Sequence, residues 1–175
     1  MSINERSGIV TIQGNPLTLL GPEVGVGAPA PAFTVLDNGL APFAGLKAGT
    51  VYVINVVPSL DTPVCDLQVR AFNKAAADLG DRVEIKAVSM DLPFAQARWC
   101  GAAGVDRVQT LSDHRDASFG LAFGLLIKEL RLLARAVLVI DGKGVIRYRQ
   151  IVPEVTSEPD YQAALAAVAA VVREG

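Results

Sequence analysis

The sequence predicts an α/β domain with a mixed central sheet flanked by helices. Three observations carry this expectation. Val51-Tyr52-Val53-Ile54-Asn55-Val56-Val57 is almost unbroken apolar, mostly β-branched sequence, the composition of a strand covered on both faces. Stretches of this kind alternate with stretches whose apolar residues recur every three or four positions, as in strand–helix–strand units. The chain then closes with Ala136-Val137-Leu138-Val139-Ile140, a turn, a second strand and an alanine-rich helix, so antiparallel strands join parallel ones. At 175 residues, 51% hydrophobic and 19% charged, the whole of 1–175 is expected to fold as one domain whose core needs no staples.

The first element is a hairpin. Ile9-Val10-Thr11-Ile12 and Leu17-Thr18-Leu19-Leu20 flank Gly14-Asn15-Pro16, with the glycine supplying the turn. It forms an N-terminal extension over about residues 1–22. A Gly- and Pro-rich connector over 25–31 follows, then a short strand over 33–36 and the central strand over 51–57. The next helix is well signalled: Thr62 stands at the N-cap, Pro63 at the first helical position, and Gly80 ends it. Cys65, Val69, Phe72, Ala76 and Leu79 form its apolar face, while Asp66, Gln68 and Arg70 take outer positions. A strand over 83–89 precedes a helix over 94–103 that carries Trp99 and Cys100. Residues 108–111 read as a strand, 117–126 as a helix, and 136–140 with 145–150 as a hairpin. Gly142 and Gly144 belong to the turn of that hairpin and form no phosphate loop. The last helix spans 160–173. This order is compatible with a thioredoxin-like fold carrying an extra N-terminal β-hairpin.

A net charge of −2 argues against nucleic acid as the main partner, and no apolar run approaches the ~18–20 residues of a membrane span. The polar start Met1-Ser2-Ile3-Asn4-Glu5-Arg6 lacks the apolar core of a secretion signal, so a cytoplasmic location is expected. There a transient disulfide is more at home than a structural one. The two cysteines match no common zinc spacing, and no metal is expected.

Cys65 is the residue on which a function can be built. It lies in the first turn of a helix and on its inward face, where unpaired N–H groups and the positive end of the macrodipole stabilise a thiolate. A buried cysteine is commonly only a small hydrophobe. Here Pro58, Thr62 and Pro63 surround it at a strand-to-helix junction, which favours a nucleophile. The Thr62 hydroxyl has two uses: accepting a backbone N–H, or donating to the sulfur or to a bound oxygen. Pro58 narrows the mouth of the pocket. Arg135 opens an apolar strand, where an unpaired cation is costly. It either pairs with a carboxylate, snorkels to solvent, or faces the thiolate and an oxidising substrate. Cys100 gains interest as the only other thiol. His114, within Ser112-Asp113-His114-Arg115-Asp116, is assigned a capping or surface role, and Lys47, Lys128 and Arg131 are assigned to solvated faces.

The run Pro58-Ser59-Leu60-Asp61-Thr62-Pro63-Val64-Cys65 resembles the active-site signature of the peroxiredoxins: Pro, three residues, Thr or Ser, two residues, Cys. Further segments narrow the resemblance to the atypical two-cysteine peroxiredoxins, the group of the bacterial thiol peroxidases. They are Gln13-Gly14-Asn15-Pro16, Asp91-Leu92-Pro93-Phe94-Ala95-Gln96, Trp99-Cys100-Gly101, Leu111-Ser112-Asp113-His114-Arg115, Leu132-Leu133-Ala134-Arg135-Ala136-Val137 and Glu158-Pro159-Asp160-Tyr161. The resemblance implies that Cys65 attacks a peroxide and becomes a sulfenic acid, with Thr62 and Arg135 holding the thiolate and the peroxide oxygens and Pro58 shielding the site. It implies that Cys100 resolves the sulfenic acid into an intramolecular disulfide, that thioredoxin reduces this disulfide, and that the chain forms a homodimer without metal, haem or flavin. The chain departs from the common pattern at Trp99, where phenylalanine is frequent, and at Asp66, where a small neutral residue is. Because the two cysteines start from different helices, one or both helices are expected to unwind locally during turnover.

A peroxide sensor that relays oxidation to a partner protein would use the same sulfenic-acid chemistry. A thiol–disulfide oxidoreductase is disfavoured, because the chain has no Cys-x-x-Cys pair.

Overall fold

The computed structural model describes residues 2–175. In chain order the elements are β1 (Glu5–Ile12), β2 (Asn15–Leu20), β3 (Val51–Val56), α1 (Pro63–Ala75), β4 (Val83–Ser89), α2 (Pro93–Ala103), β5 (Val108–Ser112), α3 (Ser118–Phe123), β6 (Leu126–Ile127), β7 (Leu132–Leu133), β8 (Ala136–Ile140), β9 (Ile146–Ile151) and α4 (Tyr161–Glu174). The main sheet has the order β5-β4-β3-β8-β9. β3, β4 and β5 are parallel, and β8 runs antiparallel to both β3 and β9. A smaller sheet, β1-β2-β6-β7, holds the N-terminal hairpin. The arrangement is the expected thioredoxin-like fold with its added hairpin.

Alternation along β3 divides the core. Val51 and Val53 pack with Val137 and Val139 of β8 against Val69 and Phe72 of α1 and Ala164 and Val168 of α4. Tyr52 and Ile54 pack on the opposite face with Leu17 and Leu19 of β2 and Phe119 and Phe123 of α3. Every residue of β3 is buried, as its almost unbroken apolar composition predicts, and each of its Val and Ile side chains stabilises the fold by about 1.5–3 kcal/mol. No helix among the described residues is long and apolar enough to cross a membrane.

Three local expectations are corrected. The first turn falls on Gln13-Gly14, both with positive φ (49° and 79°), the two-residue geometry that suits strand twist. Asn15 and Pro16 therefore open β2. Pro16 is tolerated there because β6 pairs only with Leu19 and Leu20. Residues 33–36 form no strand: only Leu36 makes isolated bridges, to Pro42 and Ser112. Phe33 instead packs edge-on against Phe119 and Phe123, after a connector in which Pro29 and Pro31 lack N–H donors. The third helix stops at Phe123 because Gly124 turns left-handed (φ 65°), and any Cβ there would collide with the Pro22 carbonyl. Leu126 and Ile127 then leave the helix to become β6, which joins the hairpin to the main body.

Candidate active site

β3 runs into Val57-Pro58, and the chain turns through Ser59-Leu60-Asp61 into α1. Asp91 holds this turn: its carboxylate accepts hydrogen bonds from the Ser59 hydroxyl (2.7 Å) and the Leu60 N–H (2.8 Å). The Ser89 hydroxyl at the end of β4 donates to the same carboxylate at 2.7 Å. Asp91, which the sequence offers only as a turn or helix start, thus ties the loop before Cys65 to the neighbouring strand.

Thr62 occupies the N-cap with extended backbone (φ −104°, ψ 146°), and Pro63 follows at the first helical position, as predicted. The Thr62 hydroxyl does not cap the helix. It lies 3.0 Å from the Ser59 carbonyl and 2.6 Å from Cys65 Sγ, and so can donate to the sulfur. Cys65 itself is fully buried in the first turn, where the helix N-terminus favours negative charge.

Arg135 immediately precedes β8 and has 2% of its surface exposed. It donates through Nε to the Val155 carbonyl (2.9 Å), through Nη1 to Gln68 Oε1 (3.0 Å) and through Nη2 to Cys65 Sγ (3.3 Å). Among the described residues it joins no carboxylate in an ion pair. A buried cation without a counter-charge costs several kcal/mol, and Cys65 is the ionisable side chain placed to supply one. Of the uses open to Arg135 in the sequence, facing the sulfur is the one the fold realises.

Gln68 corrects the helical reading. The apolar period placed it outward, yet it is fully buried one turn after Cys65. Its amide nitrogen donates to Asn55 Oδ1 of β3 (3.3 Å) while its oxygen receives Arg135. Gln68 and Asn55 therefore orient the guanidinium, and neither was marked by any local pattern. Asp66 does point away from the thiol, pairing with Arg70 Nε at 2.8 Å.

Beside Thr62 and Arg135 lies a pocket of about 190 Å³ with an almost wholly apolar wall that includes Ile12, Pro58, Leu130, Leu132 and Val155. Its rim is fastened to the hairpin by Glu154, which accepts from the Thr156 hydroxyl (2.6 Å), the Gly14 N–H (2.9 Å) and the Thr11 hydroxyl (3.0 Å). The Thr156 hydroxyl and N–H, with the Gly14 N–H, pull this carboxyl down to about 2.

Cys100 is half-buried on α2, its sulfur 3.5 Å from the Thr110 hydroxyl of β5, and both cysteines are free thiols. The two do not share partners. His114 stands outside the site, and the cap of α3 comes instead from its neighbour Asp113, which accepts from the N–H groups of Phe119 (2.9 Å) and Gly120 (2.8 Å). Lys128 is exposed and pairs with Glu5.

The arrangement can hold a sulfur anion, shield it from bulk water, and present donors to a polar oxygen placed beside it. Comparison with known proteins places the chain in a family. The Redoxin family pattern matches residues 25–165. A thiol peroxidase of Bacillus subtilis is 55% identical over 166 residues, 94% of this chain and 98% of that relative. Another, of Halalkalibacterium halodurans, is 56% identical over 162 residues, 92% and 97% of the two chains. The crystal structure of a peroxiredoxin-like protein from Aquifex aeolicus superposes with a TM-score of 0.87 at 39% identity, covering 98% of this chain and 99% of that one. The chain belongs to the redoxin family and within it to the thiol peroxidases, and it is an oxidoreductase.

Proposed function

We propose that the protein reduces hydrogen peroxide and organic hydroperoxides in the cytoplasm, with Cys65 as nucleophile, Cys100 as resolving thiol and thioredoxin as reductant. The observation that carries this reading is the buried Arg135 guanidinium 3.3 Å from Cys65 Sγ, with no carboxylate paired to it among the described residues. The thiolate attacks the terminal peroxide oxygen. An S–O bond forms, the O–O bond breaks, and the alkoxide leaves and is protonated to an alcohol, or to water when the substrate is hydrogen peroxide. Thr62 and Arg135 donate to the oxygens as charge moves onto them, a contribution of about 10²–10³ per donor in comparable sites. Pro58, with no N–H of its own, closes the mouth of the pocket. The sulfenic acid then condenses with the Cys100 thiol: an S–S bond forms and the hydroxyl leaves with the thiol proton as water. Thioredoxin returns both cysteines to thiols by exchange. The apolar wall of Ile12, Leu130 and Leu132 suits the alkyl portion of an organic hydroperoxide. A homodimer is part of the same proposal.

The test is peroxide consumption with thioredoxin, thioredoxin reductase and NADPH. Cys65→Ser is expected to be inactive, and Cys100→Ser to consume about one equivalent and stall. Turnover by Cys65→Ser would overturn the reading. A wild type that reacts once and is not recycled would move it to a peroxide sensor that passes oxidation to a partner protein.

A further inference from the structure

Three residues that the chemistry above does not use join the two helices that bear the cysteines. Asp66, the residue after Cys65, accepts a 3.0 Å hydrogen bond on Oδ1 from the indole Nε1 of Trp99, the residue before Cys100. Its Oδ2 pairs at 2.8 Å with Arg70 one turn further along α1. The Arg70 guanidinium carbon lies 5.9 Å from the centroid of the Trp99 ring, and its Nη1 donates to the Ala103 carbonyl at the end of α2 (3.0 Å). Among the described residues, these are the only side-chain hydrogen bonds from α1 to α2.

The position of this cluster bears on disulfide formation. Cys65 Sγ is buried against Thr62 and Arg135, while Cys100 Sγ rests by Thr110 on β5. A disulfide requires Cα atoms within about 7 Å and Cβ atoms closer still. Both sulfurs must therefore leave their present partners, and the helix segments that carry them must shift relative to each other. The cluster spans the junction of α1 with α2, one residue from each thiol.

We propose that Asp66, Trp99 and Arg70 form a clasp that sets how often the α1–α2 junction opens, and thereby the rate at which Cys100 reaches the Cys65 sulfenic acid. The proposal rests on the two-cysteine reading given above. While the clasp is closed, the sulfenic acid faces the next peroxide. That peroxide adds one oxygen to the sulfur, giving the sulfinic acid and releasing the alcohol or water. When the clasp opens, condensation with Cys100 competes. These are positioning residues: they divide the oxidised sulfur between disulfide and sulfinic acid without touching the substrate.

The test uses the full-length reduced protein as wild type, Trp99→Phe and Arg70→Met, both of which leave Asp66 and the reacting residues in place. Hydrogen exchange is followed by mass spectrometry; peroxide is then mixed in rapidly, and the thiol, disulfide and sulfinic forms are counted after acid quenching. Each variant is expected to speed amide exchange in the first turn of α1 and in α2, and disulfide formation, by about threefold to tenfold. The rate of Cys65 oxidation is expected to stay unchanged, and sulfinic acid at excess peroxide to fall. The double variant is expected to gain less than the product of the singles, since both residues serve one cluster. Exchange and disulfide formation at wild-type rates in both variants would overturn the clasp. A wild type that loses its Cys65 thiol to peroxide without forming the Cys65–Cys100 link would overturn the two-cysteine reading, and the clasp's role in resolution with it, before any variant is compared.

Discussion

Arg135 and Cys65 lie 70 positions apart, and each accounts for the other. The guanidinium is buried against the sulfur with no carboxylate paired to it among the described residues, and the sulfur has a cation and a hydroxyl directed at it. Replacing Arg135 with Met should lower the second-order rate of Cys65 oxidation by about 10²-fold or more, and Thr62→Val should do so to a similar degree, because each removes a donor from the charge that develops. Rapid-mixing measurements with hydrogen peroxide check both; a rate within severalfold of wild type in either would contradict the roles given to them. Pro58, Thr62 and Cys65 were legible because they lie within eight residues at a recognisable strand-to-helix junction. Arg135 was legible as an oddity, a cation opening an apolar strand. Gln68, Asn55 and Asp91 were not, because their work is done across tertiary contacts. Gln68 looks like a solvated helix residue until β8 brings Arg135 over it. The two departures noted at Asp66 and Trp99, unrelated in sequence, are partners in space.

At the level of elements, unbroken apolar runs located β3 and β8, which are covered on both faces, and the helical apolar period located α1 and α4. Both failed where the element was too short to show a pattern. β6 and β7 are each two residues long, and the end of α3 is decided by the Pro22 backbone pressing on Gly124. The start of α3 gives a stability prediction. Burial pushes the Asp113 carboxyl from an ordinary 3.8 to about 6, against the opposing N–H bonds of Gly120 and Phe119. The folded protein thus holds this proton more tightly than the unfolded chain does. The group's contribution to stability is greatest below pH 3.8 and is lost as pH rises through about 6, a change on the order of 3 kcal/mol. Denaturant unfolding of wild type and Asp113→Asn across that interval measures it. The wild type should lose stability relative to the variant as pH rises, and parallel profiles would contradict the assignment.

Across the whole molecule, the N-terminal hairpin is part of the site's enclosure. Ile12 reaches the pocket beside Thr62 and Arg135, and Glu154 clips the hairpin turn to the loop whose Val155 carbonyl holds Arg135. The hairpin was legible from its sequence; its union with the site was not, since it depends on contacts more than a hundred residues apart. Ile12→Ser should raise KM for an alkyl hydroperoxide by about tenfold while leaving hydrogen peroxide nearly unaffected, because only the former buries carbon against that wall. Equal changes for both substrates in steady-state kinetics would contradict this. The most direct check of the whole scheme is peptide mapping by mass spectrometry after the reduced protein has met one equivalent of peroxide. A Cys65–Cys100 link within one chain, with no free thiol left to alkylate, is the expected product. Cys65 recovered as an unmodified thiol after the peroxide has been consumed would contradict the mechanism at its first step.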